Sequence, residues 1–243
     1  MIGDVHLRDV TVLRASSTVV SNMTCDIQAG QWLGVIGANG SGKTTLLRAV
    51  AGRLPVAAGK VLIDGVDRAG NRAWRARHIG FAPDGDLLPR SLSAYELIDI
   101  LTDGQSQLCT SKALRPVRDA LGIDHIADRR IETCSAGMRQ RIAIYCAFVS
   151  GQRTVILDEP FNWLDPLAAY DLRKALRVLV EDGLTLVTAL HDLLTLTSSC
   201  NRGILLRDGR LALTIDGEEM KEAARDPLVF ERSTIEYLRR ETP

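Results

Sequence analysis

The stretch WLGVIGANGSGKTTLLRAV, residues 32–50, combines a strand signal, a glycine-rich loop and a helix signal. It opens with the compact apolar run Trp32–Ile36, which is typical of a buried strand, and it closes with Thr44–Val50, which predicts a helix. Residues 37–44 match the pattern GxxxxGK[ST], and a strand before and a helix after form the context that this pattern requires. The stretch therefore predicts a phosphate-binding loop in an α/β protein.

The chemistry of this loop follows from its residue types. Glycines let the backbone curl, so that successive N–H groups and the helix N-terminus point at phosphate oxygens. Lys43 is expected to reach the β and γ phosphates of a nucleotide, and the Thr44 hydroxyl is expected to ligate Mg²⁺. ATP and Mg²⁺ are therefore the predicted cofactors, and the predicted binding residues here are Gly37, Ala38, Asn39, Gly40, Ser41, Gly42, Lys43, Thr44 and Thr45.

A second apolar run, residues 154–157, ends in the carboxylates Asp158 and Glu159. Asp158 is expected to hold Mg²⁺, and Glu159 stands where a general base can orient the attacking water. Strands often end in acidic turns, so this motif is informative chiefly because a phosphate-binding loop precedes it.

Flanking patterns predict an α/β core. Short β-like runs fill much of residues 6–27, and another strand is predicted at Lys60–Ile63. Strands at 154–157 and 185–188 flank a helix at 167–180, which is the alternation expected of a parallel sheet with crossover helices.

The middle of the chain differs, because its signals between about residues 87 and 150 are mostly helical. Ser93 and Glu96 form a capping box ahead of an apolar run. Further helices are predicted at 111–121 and at 138–149. A helical insert therefore interrupts the predicted α/β core.

Composition narrows the class of protein. The 243 residues are 46% hydrophobic and 25% charged, as in ordinary globular proteins. Lys+Arg and Asp+Glu are equal at 30 each, so no nucleic-acid partner is expected. The odd number of cysteines, with no CxxC pair, argues against a disulfide framework or a zinc site.

Membrane and export signals are weak. The most hydrophobic stretch, residues 184–196, is interrupted by His191 and Asp192 and falls short of the roughly 20 apolar residues that span a bilayer. The N-terminus MIGDVHLRDV has neither the basic nor the apolar region of a signal peptide. A cytoplasmic location is therefore expected, with any membrane association provided by partners.

Three further motifs complete a resemblance to the ABC family of ATPases. Residues 134–138, CSAGM, precede an apolar helix and are similar to the family signature LSGGQ. Residues 162–165, NWLD, are similar to its D-loop, and His191 follows a strand at the place of its switch histidine. The resemblance covers about residues 5–216, nearly the whole chain.

This resemblance implies a fold: a P-loop NTPase (RecA-like) α/β core with a mostly parallel sheet, an N-terminal antiparallel β part and an inserted helical subdomain. The nucleotide-binding domain would span residues 1–216, with the helical subdomain at about 87–150, and a short helical tail would follow at 217–243. The family works as dimers, here expected to be homodimers, that sandwich two ATP molecules. Closure drives transmembrane permease subunits, which would hold the chain at the inner face of the cell membrane.

The same resemblance implies roles for individual residues. Ser135 and Gly137 would bind the γ-phosphate of the ATP held by the other subunit, at a helix N-terminus that favours anions. Asp165 would contribute from the D-loop. His191 would touch the γ-phosphate and act with Glu159 and Lys43 in catalysis.

Several positions depart from the family pattern. The Q-loop glutamine is Asp84, which can ligate Mg²⁺ through oxygen but cannot donate a hydrogen bond to water. The signature's glutamine is Met138 and its leucine is Cys134, which weakens polar contacts to the partner's nucleotide. No aromatic residue stands near Leu13, where the family stacks a tyrosine on adenine.

A transport ATPase is the leading hypothesis, and two alternatives remain. A soluble ABC ATPase of the repair type would carry a long coiled coil between phosphate loop and signature, whereas roughly 90 residues without heptads intervene here; the translation type carries two cassettes. A weakly hydrolysing ATP-gated binding module is motivated by Asp84 and Met138, and is opposed by Lys43, Glu159 and His191. The plain signature and the short tail resemble simple exporter cassettes, including the haem-exporter type.

Overall fold

The computed structural model describes residues 3–102 and 112–240. Its strands are β1 (Val5–Arg14), β2 (Ser17–Ile27), β3 (Trp32–Ile36), β4 (Ala58–Ile63), β5 (Val66–Asp67), β6 (Ile79–Phe81), β7 (Thr154–Asp158), β8 (Thr185–Leu190), β9 (Arg202–Arg207) and β10 (Arg210–Ile215). Its helices are α1 (Lys43–Val50), α2 (Arg72–His78), α3 (Ala94–Leu101), α4 (Arg115–Ala120), α5 (Ala136–Cys146), α6 (Pro166–Glu181), α7 (Leu193–Ser199), α8 (Gly217–Arg225) and α9 (Pro227–Arg240).

The central sheet has the strand order β10-β9-β3-β8-β7-β6. Its neighbours pair in parallel, apart from the antiparallel β10 at one edge. Ile36 pairs with Leu190, and Asp158 pairs with Ala189, so β3, β7 and β8 end at one edge of the sheet. The loops that follow these strands therefore emerge side by side, as parallel pairing requires.

Side chains of these strands alternate between two cores, since successive residues of a strand point to opposite faces. Leu33, Ile156 and Val187 pack on the face covered by α1. Trp32 and Leu157 pack on the other face, in the cluster that includes apolar residues of α5 and α6. Burial on both faces explains why β3 is a continuous apolar run.

The N-terminal strands form a separate antiparallel sheet with the order β2-β1-β4-β5. It meets the central sheet at the turn between β9 and β10. Ser21 N donates to Gly209 O at 2.8 Å, and Gly209 N donates to Ser41 O at 3.0 Å in the phosphate-binding loop. A side chain at Gly209 would collide with the Val19 carbonyl, so the two sheets meet closely here.

The region between β6 and β7 is helical, as predicted. The capping box is confirmed, because Ser93 N donates to Glu96 Oε2 at 2.7 Å and Glu96 N donates to Ser93 Oγ at 3.1 Å. The helix predicted at 138–149 is wrong at both ends: α5 begins two residues earlier, where Ser135 caps it, and it ends at Cys146, because the chain then turns towards β7. Of the helix predicted at 111–121, α4 covers the central part and residue 111 lies outside the described residues.

The C-terminal helices pack on the core instead of lying free. Asp216 and Glu219 form a capping box at the start of α8, and the Met220 and Ala223 side chains of that helix are buried. Throughout residues 3–102 and 112–240, no helix combines the length and the apolar character needed to cross a membrane. Free thiols occur at Cys25, Cys134, Cys146 and Cys200, and Cys109 lies outside the described residues.

Candidate nucleotide-binding and hydrolysis site

The predicted phosphate-binding loop joins β3 to α1. Gly40 and Gly42 adopt φ values of 82° and 102°, a left-handed region in which a side chain is strained. Gly42 is the N-cap of α1 and offers no side chain to bond the first N–H groups, so these groups stay available to an anion. Lys43 is 5% exposed, and its ammonium donates to Gly37 O at 2.6 Å and to Ala38 O at 3.3 Å.

Thr44 and Asp158, two of the three predicted metal ligands, are joined by a side-chain hydrogen bond. Burial raises the pKa of Asp158 above its usual value, as does the charge of Glu159, while a hydrogen bond with the Thr44 side chain opposes that rise. Asp158 Oδ1 is buried and has no hydrogen-bond partner within the described residues. An orphaned buried carboxylate oxygen is costly, and a hard cation such as Mg²⁺ would satisfy it.

No group of three His, Cys, Asp or Glu side chains in the described ranges is arranged to hold a metal alone. The protein therefore offers a hydroxyl and a carboxylate, a partial set of the kind that phosphate oxygens and water complete.

Glu159, Asn162 and His191 meet where β7 and β8 end. Glu159 Oε2 lies 2.8 Å from His191 Nε2 and accepts a 2.8 Å hydrogen bond from Asn162 Nδ2. Glu159 adopts a φ of 52°, unusual for a residue other than glycine. The sequence predicted the first and last of these residues, whereas Asn162 was noted only as part of the D-loop motif; its spacing of three residues from Glu159 was the available signal.

The predicted metal ligand Asp84 lines a cavity of about 260 Å³ together with Arg48, Asp158, Glu159 and other residues. Its carboxylate also accepts a 3.0 Å hydrogen bond from Asp86 N and caps a short 3₁₀ helix at 85–87. Asp84 thus faces the same cavity as the other acidic groups and is partly engaged by its own loop.

The predicted signature residues begin α5. Ser135 Oγ accepts from Met138 N at 3.3 Å, and Gly137 packs against the Trp163 carbonyl, which a side chain at that position would approach to 3.3 Å. Asp165 caps α6 through a 2.9 Å bond from Ala168 N, which lowers the pKa of Asp165. The signature helix and the D-loop are therefore in contact, and Asn162 of the D-loop also belongs to the Glu159 cluster of the same chain.

Comparison with known proteins decides the family. The ABC transporter family profile matches residues 20–162. The chain belongs to the ABC transporter ATPase family. It is 31% identical over 239 residues to the phosphonates import ATP-binding protein PhnC of Agrobacterium fabrum, covering 90% of this chain and 82% of that one. It is 34% identical over 203 residues to the ferric enterobactin transport ATP-binding protein FepC of Escherichia coli, covering 80% and 74%.

Solved structures agree in fold. An ATP-binding subunit of an ABC transporter superposes with a TM-score of 0.81 at 24% identity, covering 96% of this chain and 99% of that one. A dimeric ATP-binding cassette in a post-hydrolysis state, bound to ADP and Pi, gives a TM-score of 0.77 at 23% identity, covering 88% and 98%. These matches confirm the predicted α/β P-loop NTPase fold.

This ABC cassette is an ATP-binding and ATP-hydrolysing subunit of a transporter. The sequence-based hypothesis of a transport ATPase is confirmed.

Proposed function

We propose that this cassette hydrolyses ATP with Glu159 as the general base and His191 as its partner. The 2.8 Å contact between Glu159 Oε2 and His191 Nε2 carries the proposal. The carboxylate lies one residue beyond Asp158, at the edge of the sheet where the phosphate-binding loop also begins. A base in this position can take a proton from water that attacks the γ-phosphate.

The binding roles divide between two copies of the chain. In one copy, residues 37–45 cradle the phosphates. Lys43 exchanges its hydrogen bonds to the two loop carbonyls for hydrogen bonds to phosphate oxygens. Thr44 and Asp158, with Asp84 close by, are the groups that would hold Mg²⁺, which neutralises phosphate charge when bound. The second copy supplies Ser135, Gly137 and Asp165 to the same nucleotide.

The proposed organisation follows from these roles. Residues 1–216 form the nucleotide-binding domain with a helical subdomain at about 87–150, and residues 217–243 form a helical tail. Two copies make a homodimer that sits at the cytoplasmic face of the cell membrane on permease subunits.

A groove between β6 and the helical region supports permease docking. It encloses about 510 Å³, and its lining includes Leu54, Phe81, Leu97 and Leu101. Leu87, at its rim, is 73% exposed and lies three residues from Asp84. A permease helix with an apolar face would fit this groove and would act on the metal-site loop.

Replacing the base tests the catalytic assignment. Glu159→Gln should lower the ATPase rate by about 10²- to 10⁴-fold, because the amide cannot accept the proton of water. The variant should accumulate as an ATP-bound dimer in size-exclusion chromatography. Glu181→Gln, at the exposed end of α6, is the matched control and should behave as wild type. Wild-type turnover by Glu159→Gln would contradict the proposal.

The docking surface is tested separately. Leu87→Asp should release the chain from native membranes, since a charge replaces the exposed apolar rim. Leu194→Asp is the control, because Leu194 is 45% exposed on α7 and away from the groove. Equal membrane retention of both variants would show that the permease binds elsewhere.

A further inference from the structure

The amide of Asn162 closes a triangle of polar atoms at the proposed base. Its Nδ2 atom lies 2.8 Å from Glu159 Oε2 and 2.8 Å from His191 Nε2. The histidine and carboxylate atoms are themselves 2.8 Å apart. Asn162 is therefore in contact with both members of the catalytic pair.

The chemistry of these atoms fixes the orientation of the Asn162 amide. A carboxylate oxygen only accepts, and an amide nitrogen only donates. A flipped amide would place the Asn162 carbonyl oxygen against the Glu159 carboxylate, so Nδ2 is the atom that faces Oε2. The same nitrogen lies 2.8 Å from His191 Nε2, and Nε2 accepts from it in one tautomer of the ring and donates to Oε2 in the other.

The two oxygens of the Glu159 carboxylate have different surroundings. Oε2 accepts from the Asn162 amide and lies beside His191 Nε2, and Oε1 makes no hydrogen bond to the described residues. Oε1 is thus the atom available to water. The backbone does not hold the carboxylate in place by itself, because Glu159 has a φ of 52°, a conformation that persists only where surrounding contacts enforce it.

Asn162 also stabilises that backbone. Its own N–H donates to the Glu159 carbonyl at 3.3 Å, so the loop turns back on the base with the amide side chain above it. The turn and the side-chain bond together set the direction of the carboxylate.

We propose that Asn162 is a positioning residue for hydrolysis: it anchors Oε2 of Glu159 beside His191 and so presents Oε1 to the attacking water. This inference rests on the assignment of Glu159 as the base. Asn162 is absent from the phosphate-binding loop, so its contribution belongs to the chemical step and not to ATP affinity.

The test compares Asn162→Ala with the isosteric Asn162→Asp in the full chain. Asn162→Ala should lower kcat by about 10- to 100-fold, the usual result of a misplaced catalytic group, with KM for Mg·ATP unchanged. Asn162→Asp should lose as much activity, because its carboxylate cannot donate to Oε2. A merely structural role would not lower kcat selectively while KM and the thermal stability stay at their wild-type values.

The matched control is Asn71→Ala. Asn71 caps α2 by accepting from Trp74 N at 3.0 Å, far along the chain from the base. Its replacement should lower Tm by about 2–4 °C, as the loss of a helix cap does in a chain of this length, with kcat unchanged. Thermal denaturation of all variants separates loss of fold from loss of chemistry, and the isosteric Asn162→Asp protects the test against a cavity effect.

The outcomes distinguish the two assignments. If both Asn162 variants keep wild-type kcat while Glu159→Gln is inactive, the role of Asn162 is overturned and the base stands. A rise in KM in place of a fall in kcat would likewise overturn it. If Glu159→Gln turns over at the wild-type rate, the base assignment itself fails.

Discussion

Arg139 joins the signature helix to the loop that carries Asp84, so its replacement should lower the free energy of unfolding. The side chain is 15% exposed and reaches Asp86 Oδ1 through Nε at 3.1 Å and Nη2 at 2.6 Å. Its third nitrogen, Nη1, donates to the Cys134 carbonyl at 2.5 Å. Next to it, Gln140 Oε1 accepts from Gly85 N at 3.2 Å.

The two sets of contacts differ in strength because they differ in exposure. Asp86 is 64% exposed, so the ion pair contributes only about 0–1 kcal/mol. The Cys134 carbonyl loses a charge-assisted donor in a partly buried position, which costs about 1.5–2 kcal/mol. Arg139→Ala should therefore cost about 1.5–3 kcal/mol, and Tm should fall by roughly 3 to 12 °C at the 2–4 °C per kcal/mol typical of this chain length.

The assay is thermal denaturation followed by circular dichroism, with Asp86→Asn as the control that removes only the ion pair. Asp86→Asn should lower Tm by less than about 4 °C, and the double variant should resemble Arg139→Ala. If Asp86→Asn lowers Tm as much as Arg139→Ala, the exposed ion pair contributes most of the stabilisation by Arg139, and the reasoning from exposure is refuted.

Three further predictions follow from the site and the core. Asp84→Gln should relax the Mg²⁺ requirement, because it removes a like charge near the phosphates; superimposable plots of ATPase rate against free Mg²⁺ would place Asp84 outside the metal's reach. Asp158 has a raised pKa when folded, so its ionisation destabilises the fold as pH rises above the unfolded value of 3.8. In metal-free denaturant titrations, Asp158→Asn should therefore gain stability over wild type as pH rises from about 4 to 7; a pH-independent difference would contradict this. Gly34→Ala should cost about 1–3 kcal/mol in the same titrations, because its methyl group collides with Leu196; Leu196→Val should partly restore stability, and no cost in the single variant would show that the core yields.

Local sequence signals predicted the elements on either side of the nucleotide. The apolar run before Gly37 forms a fully buried strand, and the Ser93 capping box is present with both of its hydrogen bonds. These features depend on neighbouring residues alone, which is why a single sequence predicts them. The helix boundary at Ser135 also had a local signal, since serine is a preferred N-cap, yet the predicted helix began later.

Long-range features had no such signal. The central position of β3, between β9 and β8, depends on crossover connections that no local pattern specifies. The meeting of Asn162 with His191 across 29 positions depends on the parallel pairing of β7 with β8. The dual engagement of Asp84, by its own loop and by the metal-site cavity, likewise appears only in three dimensions.

The left-handed backbone at Glu159 has a consequence for protein engineering. A glutamate there carries a penalty of roughly 1–2 kcal/mol that glycine largely avoids. A directed-evolution library ranked by heat resistance alone would therefore enrich Glu159→Gly and discard the carboxylate on which turnover is proposed to depend. Selection for a more thermostable variant of this cassette therefore needs a second criterion in every round, namely a measurement of phosphate release.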